Sequence, residues 1–577
     1  MGGSVTVHHL PQPPSDEELY WYFGPQRRWV LVVTSLAFVF TAATMFTFAL
    51  RTPALWAFLA VLGLNVAALA LSSVNSLRQR RLTRRSHEVL VHAWRPAPPP
   101  GVDLYLPTCG EPLPVLDNAY RAVAAVDWPA DALTVWILDD ADRPEVAALA
   151  ARHGYEYVVR PDRGHLKKAG NLNHALTLSS AEFVAILDAD FAPRPDFLRH
   201  LVPYLADPAV GIVQSPQCFD TDGTMSWIQR AAGSAQEWFF RWIQPSRDAS
   251  DAAICCGSNA VYRRAALDLA GGFARLDHSE DLYTGLALHE QGFRTLYVPV
   301  LVAKGTSPDR VTSFVNQQYR WAMGNLHLLG TPVLRRMRAP WRMRLCFYEG
   351  VVGYLTTAVN TFAAPLPPLV MMFRYPDMIR PWHVLPLLAP LWLWHVLLPR
   401  VSRTRWRVEV IRANVLTSVA AATAFLHTLR GRSAAWVPTG VGGAAARGAM
   451  ARRVVAVALV WLAFSNGAAA SGLALAVARN GWEPNWGLLL YVVVQFQINV
   501  PLVRDLAAEL RPAPGGAASS LRARVRARVR DRVRPRPGTR SGVLPRRWPE
   551  TVAASAVILL TGLLASGWVD PMLPWLS

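Results

Sequence analysis

The strongest constraint on this chain is where its charges are missing. Residues 29–50 (WVLVVTSLAFVFTAATMFTFAL) contain no charged side chain. About 20 mostly apolar residues suffice to cross a bilayer core as a helix. After Arg51 a second such run covers residues 53–73. Charges then return, and residues 80–345 read as a soluble block. Apolar runs resume at 347–373, 382–398, 454–477, 486–503 and 551–573. This predicts about seven transmembrane helices, two before the soluble block and five after it. The 382–398 run is the weakest, being short and interrupted by Pro386 and Pro390. The first run is too long for a cleavable signal peptide, and the acidic stretch PPSDEELYWYFG precedes it.

Composition fits this layout. Hydrophobic residues make up 52% and charged residues 17%, yet the formal net charge is +19. Soluble domains run at about 25% charged. With 22 Trp and 21 Phe, disorder is excluded for most of the chain, and 5 Cys exclude a disulfide scaffold. The loop SLRQRRLTRRSH and the segment 504–547 are rich in Arg, whereas AVARNGWEPN is almost neutral. Basic loops stay on the cytoplasmic side. The N-terminus, the soluble block, 400–453 and 504–547 are therefore expected in the cytoplasm, in a multi-pass protein of the plasma membrane. All five cysteines then lie on or near the reducing side, and no disulfide is expected.

Residues 521–536 (LRARVRARVRDRVRPR) place Leu521, Val525, Val529 and Val533 four apart on an Arg-covered segment. A helix on anionic lipid is the favoured reading, with membrane lipid as partner. A positive-inside linker is the alternative. Nucleic acid is not expected as a partner, since the segment lies between spans and lacks interleaved aromatics.

Within residues 101–299, apolar β-rich runs at 102–106, 134–138, 155–159, 183–187 and 211–214 alternate with amphipathic stretches at 115–125 and 145–153. That alternation predicts an α/β domain with a mostly parallel sheet and ligands at the carboxyl ends of its strands. The polar clusters fall there: PTCGEP after the first run, Asp139-Asp140 after the second and Asp188-Ala189-Asp190 after the fourth. One D-x-D is a weak signal. Two acidic pairs at neighbouring strand ends suit a divalent cation carrying phosphates. Glu280 and Asp281 open a helix in HSEDLYTGLALHEQGF, where either helix capping or general-base duty would need them. In NQQYRWAMG, Gln317, Trp321 and Gly324 share one helical face. Arg320 could offset phosphate charge and Trp321 could stack on a sugar, or the Trp could be an interfacial anchor.

In this order the motifs resemble those of processive family 2 glycosyltransferases: bacterial cellulose synthase, hyaluronan synthase and chitin synthase. The pieces are PTCGEP, Asp139-Asp140, KKAGNLNHAL, DAD, CGSNAVYRRAAL, SED and QQYRW, over residues 102–324. The resemblance implies an α/β GT-A-like cytoplasmic domain inserted in a polytopic α-helical membrane domain. It implies that Thr108, Glu111 and Asp139 hold the uridine of a UDP-sugar, that Asp140 also belongs to the substrate-binding set, and that Lys168 and Asp188 contact the diphosphate and donor sugar. Asp190, with Asp188, would ligate Mg²⁺ or Mn²⁺. Asp281, with Glu280 beside it, would be the general base. Gln317, Arg320 and Trp321 would form the end where the acceptor sugar sits and the pyrophosphate is held, and Cys256, Gly257 and Ser258 would also bind substrate. After the fourth span, residues 402–426 suit a helix lying on the membrane, and FLHTLRGRSAAWVPTG resembles a cellulose synthase gating loop through Phe425, Thr428 and Arg430. A plain basic loop is the alternative there. Cys109-Gly110 stands where the family has an aromatic residue and Asn, and Phe191 where cellulose synthases often have His. No PilZ-like signature follows, so cyclic di-GMP control is not expected.

The expected layout is a cytoplasmic N-terminus (1–28), two membrane helices (29–73), the glycosyltransferase domain (99–330), two membrane helices (345–400), an interface helix with the gating-loop-like segment (401–450), two membrane helices (451–503), a basic cytoplasmic segment (504–547) and a last membrane helix (550–574). The expected activity is processive, inverting synthesis of a β-linked polysaccharide, with UDP-glucose as donor and the growing chain as acceptor. Translocation across the membrane, with room for accessory secretion or envelope subunits, belongs to the same expectation. The alternatives are a non-processive transferase acting on a lipid carrier and a transporter with a degenerate transferase domain.

Overall fold

A computed structural model describes residues 10–23, 28–76, 78, 80, 82–222, 224–331, 334, 339–402, 408–434 and 448–511. The expected last span, the 521–536 segment and part of the gating-loop-like stretch lie outside the described residues.

The soluble block is built on a seven-stranded sheet. Its strands are β1 (Val102–Thr108), β2 (Leu133–Asp139), β3 (Glu156–Val158), β4 (Phe183–Ile186), β6 (Val210–Gln214), β8 (Ala260–Arg263) and β9 (Arg294–Tyr297). A small second sheet joins β5 (Ala192–Pro193), β7 (Cys218–Phe219) and β10 (Ala303–Gly305). The large sheet runs β3-β2-β1-β4-β8-β6-β9. All five strands read from the sequence are present. The sheet is mixed, because β8 runs antiparallel to both β4 and β6. The turn Gly257-Ser258-Asn259, with φ of +72° at Gly257 and +53° at Asn259, leads into this reversed strand. The strand order reverses beside β1, the position where ligands of open α/β sheets bind outside the carboxyl ends of the strands, here those of β1, β2 and β4. Leu104, Leu106, Ile137, Ala185 and Val213 are fully buried in the sheet's core. This is a GT-A-like mixed α/β domain.

Among the described residues six helices are long and apolar enough to cross a membrane: Trp29–Leu50, Pro53–Ser76, Pro381–Val401, Glu409–Leu429, Ala449–Asn480 and Glu483–Leu510. Five of them match runs read from the sequence. The sixth, Glu409–Leu429, occupies the stretch expected to lie on the membrane surface, and it packs against the helices Val311–Gly330 and Trp341–Ala363. The expected span 347–373 is divided into Trp341–Ala363 and Leu366–Arg374. Pro365, Pro367 and Pro368 cause the break, since proline cannot continue the preceding ladder. Arg342, Arg344 and Glu349 in its first half also lower its apolar character. Two pairs of polar side chains join helices to one another. Asn65 and Asn360 exchange hydrogen bonds at 2.9 and 3.0 Å, and Asn75 donates to Glu349 at 2.7 Å.

Candidate active site

The site is assembled from strand ends. Thr108 and Asp139 close β1 and β2 in direct register. Glu111 folds back, so that its Oε2 accepts from Thr108 Oγ1 at 2.5 Å and from the Cys109 amide at 2.7 Å. Arg143 bridges the two strand ends, donating to the Glu111 carbonyl at 2.6 Å and to Thr108 Oγ1 at 3.1 Å. Asp139 is fully buried and accepts from the amides of Ala141 and Arg143 and from the Tyr157 hydroxyl. The structure thus brings Thr108, Glu111 and Asp139 together. Asp140 is engaged differently, because both its oxygens are held by a fork from Arg160 at 2.7 and 2.9 Å. Arg160 is fully buried and also donates to the carbonyls of His165 and Lys167. Those bonds hold the turn in which Leu166 and Lys167 take φ of +52° and +47°, and the turn opens the helix Lys167–Leu178. A Cβ at Gly170 would sit 2.2 Å from Arg160 Nη1, so the glycine of the A-G-N box makes room for this anchor.

Lys168 is delivered by that helix. Its ammonium donates to Asp188 Oδ1 at 2.5 Å and to the Gly257 carbonyl at 2.8 Å. Asp188 in turn donates its amide to Ser258 Oγ at 2.8 Å. Buried Gln214 accepts from the Cys256 amide at 2.8 Å and donates to the Ser258 carbonyl at 2.9 Å, which fixes the C-G-S loop. Asp190 is held by Thr306, whose hydroxyl donates at 2.6 Å. Burial, and then the charge of Asp188, pushes the Asp190 carboxyl up to about 7.

Glu280 and Asp281 begin the helix Glu280–Glu290, and Ser279 before them takes φ of +55°. Asp281 Oδ1 accepts the Leu282 amide at 2.8 Å, so one oxygen does serve the helix start. The other side of the carboxylate faces Gly257, where an added Cβ would lie 3.0 Å from Asp281 Cβ and 3.1 Å from Oδ2. Burial, and then Glu280, pushes Asp281 up to about 7, and burial also raises Glu280. The helix Val311–Gly330 completes the cluster. A Cβ at Gly324 would meet Ser279 Oγ at 1.9 Å, so this glycine lets the QQYRW helix lie against the S-E-D turn. Burial lowers the Arg320 pKa, opposed by the negative fields of Glu280, Asp188 and Asp281. Gln317 is buried, and its Oε1 has no hydrogen-bond partner among the described residues. Trp321 is half-buried on the same helix.

Of the gating-loop candidates, Phe425 and Thr428 are still on the helix Glu409–Leu429 and Arg430 ends it. This end touches the QQYRW helix: Tyr319 and His427 share a 2.7 Å hydrogen bond, and the Ala434 amide donates to the Tyr319 hydroxyl at 3.0 Å. Sequence reading missed Arg143, Arg160, Tyr157, Gln214 and Thr306. Arg160 stands just past a predicted strand, which marks a strand-end residue without indicating its partner. Gln214 and Thr306 carry no local signal.

Among the described residues no three His, Cys, Asp or Glu side chains form a ready metal cage. Asp188 and Asp190 nevertheless fit a hard divalent cation. They offer carboxylate oxygens, and the buried Asp190 carboxyl gains a counter-charge when a cation arrives.

A mixed sheet with acidic pairs and a lysine at the carboxyl ends of its strands is the layout of a GT-A-like domain. Residues 183–401 match the family described as Glycosyl transferase family group 2. Cellulose synthase 2 of Novacetimonas hansenii is 34% identical over 283 residues, covering 48% of this chain and 17% of that protein. The UDP-forming cellulose synthase catalytic subunit of Xanthomonas axonopodis pv. citri is 34% identical over 261 residues, covering 44% of this chain and 36% of that protein. The chain thus matches about a sixth to a third of the length of these relatives. A solved mannosyltransferase of Pyrobaculum calidifontis, in complex with GDP-Man and Mn²⁺, is 19% identical with a TM-score of 0.45, covering 63% of this chain and 97% of that one.

Proposed function

We propose that the protein is a membrane-embedded, processive, inverting glycosyltransferase that extends a β-linked glucan from UDP-glucose and passes it through its own helices. The observation that carries this reading is the shared electrostatic cluster of Lys168, Asp188, Glu280, Asp281 and Arg320, drawn from four separate stretches of chain. The similarity to cellulose synthases supports the choice of polymer.

In this reading Thr108, Glu111 and Asp139 receive the uridine, and Arg143 keeps their loops in place. Asp140 acts through Arg160 to shape the turn carrying Lys168. Asp188 and Asp190 would hold Mg²⁺ or Mn²⁺. Such a cation, when bound, neutralises charge developing on the diphosphate leaving group. Lys168 and Arg320 add positive charge at the same end. Asp281 takes the proton from the acceptor hydroxyl as that oxygen attacks the sugar's anomeric carbon. Its raised pKa suits a base working near neutrality. Gln317 and Trp321 line the acceptor end together with the Cys256-Gly257-Ser258 loop. Phe425, Thr428 and Arg430 begin the segment that would close over the nucleotide.

The test is purified protein in lipid with UDP-[¹⁴C]glucose and Mg²⁺ or Mn²⁺. The expected result is UDP release together with a polymer digested by a β-glucan-specific glycosidase. A single sugar added to lipid would sink processivity, and no UDP release from any common UDP-sugar would sink the reading itself.

A further inference from the structure

Residues 10–23, just before the first membrane helix, lie along the catalytic domain as a strap. The Pro11 carbonyl accepts from Asn118 at 2.8 Å, and the Pro14 carbonyl from Arg194 at 2.7 Å. The Leu301 amide donates to the Leu19 carbonyl at 2.9 Å, and Arg241 donates to the Trp21 carbonyl at 2.6 Å. Leu19 and Tyr22 are buried. A strap fixed by main-chain bonds and buried side chains has one registration.

The strap makes two charged contacts with the domain, Asp16 with Arg194 at 2.7 Å and Glu18 with Lys304 of β10. Lys304 is only 7% exposed. Its ammonium lies 3.2 Å from both oxygens of Glu18 and 3.3 Å from Asp220. Three successive residues then connect the strap to the D-x-D segment. Lys304 holds Glu18. Gly305 lies under the Phe191 ring, where an added Cβ would come within 2.3 Å of ring carbon. Thr306 donates to Asp190 at 2.6 Å. Lys304 is also paired in register with Ala192 of β5, two residues after Asp190. The small sheet therefore ties Asp190 and the residues that follow it to a strand whose buried cation is neutralised from the strap.

We infer that Glu18 is a positioning residue for the cation centre: through Lys304 and Thr306 the strap holds Asp190 where it can ligate a divalent metal. This rests on the proposed reading of Asp188 and Asp190 as the metal-binding pair. Removing the Glu18 carboxylate leaves a buried ammonium with Asp220 alone as its counter-ion. Lys304 must then shift toward Asp220, which draws β10 and Thr306 away from Asp190. The consequence is a weaker metal site in an otherwise folded enzyme.

The experiment is a Mn²⁺ titration of the full-length protein in nanodiscs, read by electron paramagnetic resonance in the presence of UDP, with UDP binding alone measured beside it. Supporting residues of metal sites typically change affinity 10–100-fold when removed. Glu18→Gln is expected to weaken Mn²⁺ binding about tenfold at the low end of that range, with UDP binding alone unchanged. Thr306→Val is expected to do the same. Glu18→Gln combined with Lys304→Met should recover most of the loss, because the stranded cation is gone. Wild-type Mn²⁺ affinity in Glu18→Gln overturns the inference. So does an equal loss of Mn²⁺ affinity, UDP affinity and melting temperature, since that is the mark of a merely structural contact. If the wild-type protein with UDP binds no Mn²⁺ at all, the reading of Asp188 and Asp190 falls first and takes this one with it.

Discussion

At the scale of single residues, two side chains decide the proposed chemistry. Asp281→Asn keeps the size of the side chain and removes its basicity. Polymer synthesis should be lost and UDP binding retained, measured by product formation and by calorimetry. The pH profile gives a second check. Burial and Glu280 raise the Asp281 pKa, so the carboxylate needed as a base forms only as pH climbs through about 7. kcat/KM should therefore rise with pH through neutrality rather than level off near 4. An acid limb near 4 would remove the assignment. Gly257 is the other decisive residue. Its φ of +72° and the 3.0 Å approach to Asp281 leave no place for a methyl group. Gly257→Ala should cost about 1–3 kcal/mol of stability by chemical denaturation and lower activity further by displacing Asp281.

At the scale of elements, the site depends on two anchors remote from the chemistry. Arg160 joins the β2 end to the start of the Lys167–Leu178 helix through a buried fork on Asp140. Breaking a buried ion pair from one side typically costs about 3–5 kcal/mol. Arg160→Met should lose stability of that order and raise the KM for donor, because Lys168 is no longer presented. Gly324 sets how closely the QQYRW helix meets the S-E-D turn. Gly324→Val should leave the soluble sheet folded by circular dichroism and reduce kcat, since Ser279 and then Asp281 must move.

At the scale of the whole molecule, the catalytic domain lies between the helices Trp56–Ser76 and Trp341–Ala363, which pack on each other. We propose from the basic loops that this domain faces the cytoplasm. UDP-sugar supplied to sealed inside-out vesicles should support synthesis, and the same donor outside right-side-out vesicles should not. Equal activity in both would overturn the orientation.

The sequence by itself determined the solvent of each segment and the order of the motifs. Long uncharged runs admit only membrane helices or deeply buried ones, and acids after apolar β-runs mark strand ends, so both were legible locally. The reversed strand β8 was not, because antiparallel pairing of Ala260–Arg263 depends on a turn with two positive φ values. Nor were the partners of Asp140 and Asp190. Arg160 is 20 residues from Asp140, and Thr306 is 116 from Asp190. The split of residues 347–373 is written locally, in Pro365, Pro367 and Pro368. Charge and hydropathy are properties of a stretch of chain, and the sequence states them outright. The distances between Lys168, Asp188, Asp281 and Arg320 belong to no stretch, and only the closed sheet with the helices packed on it could set them.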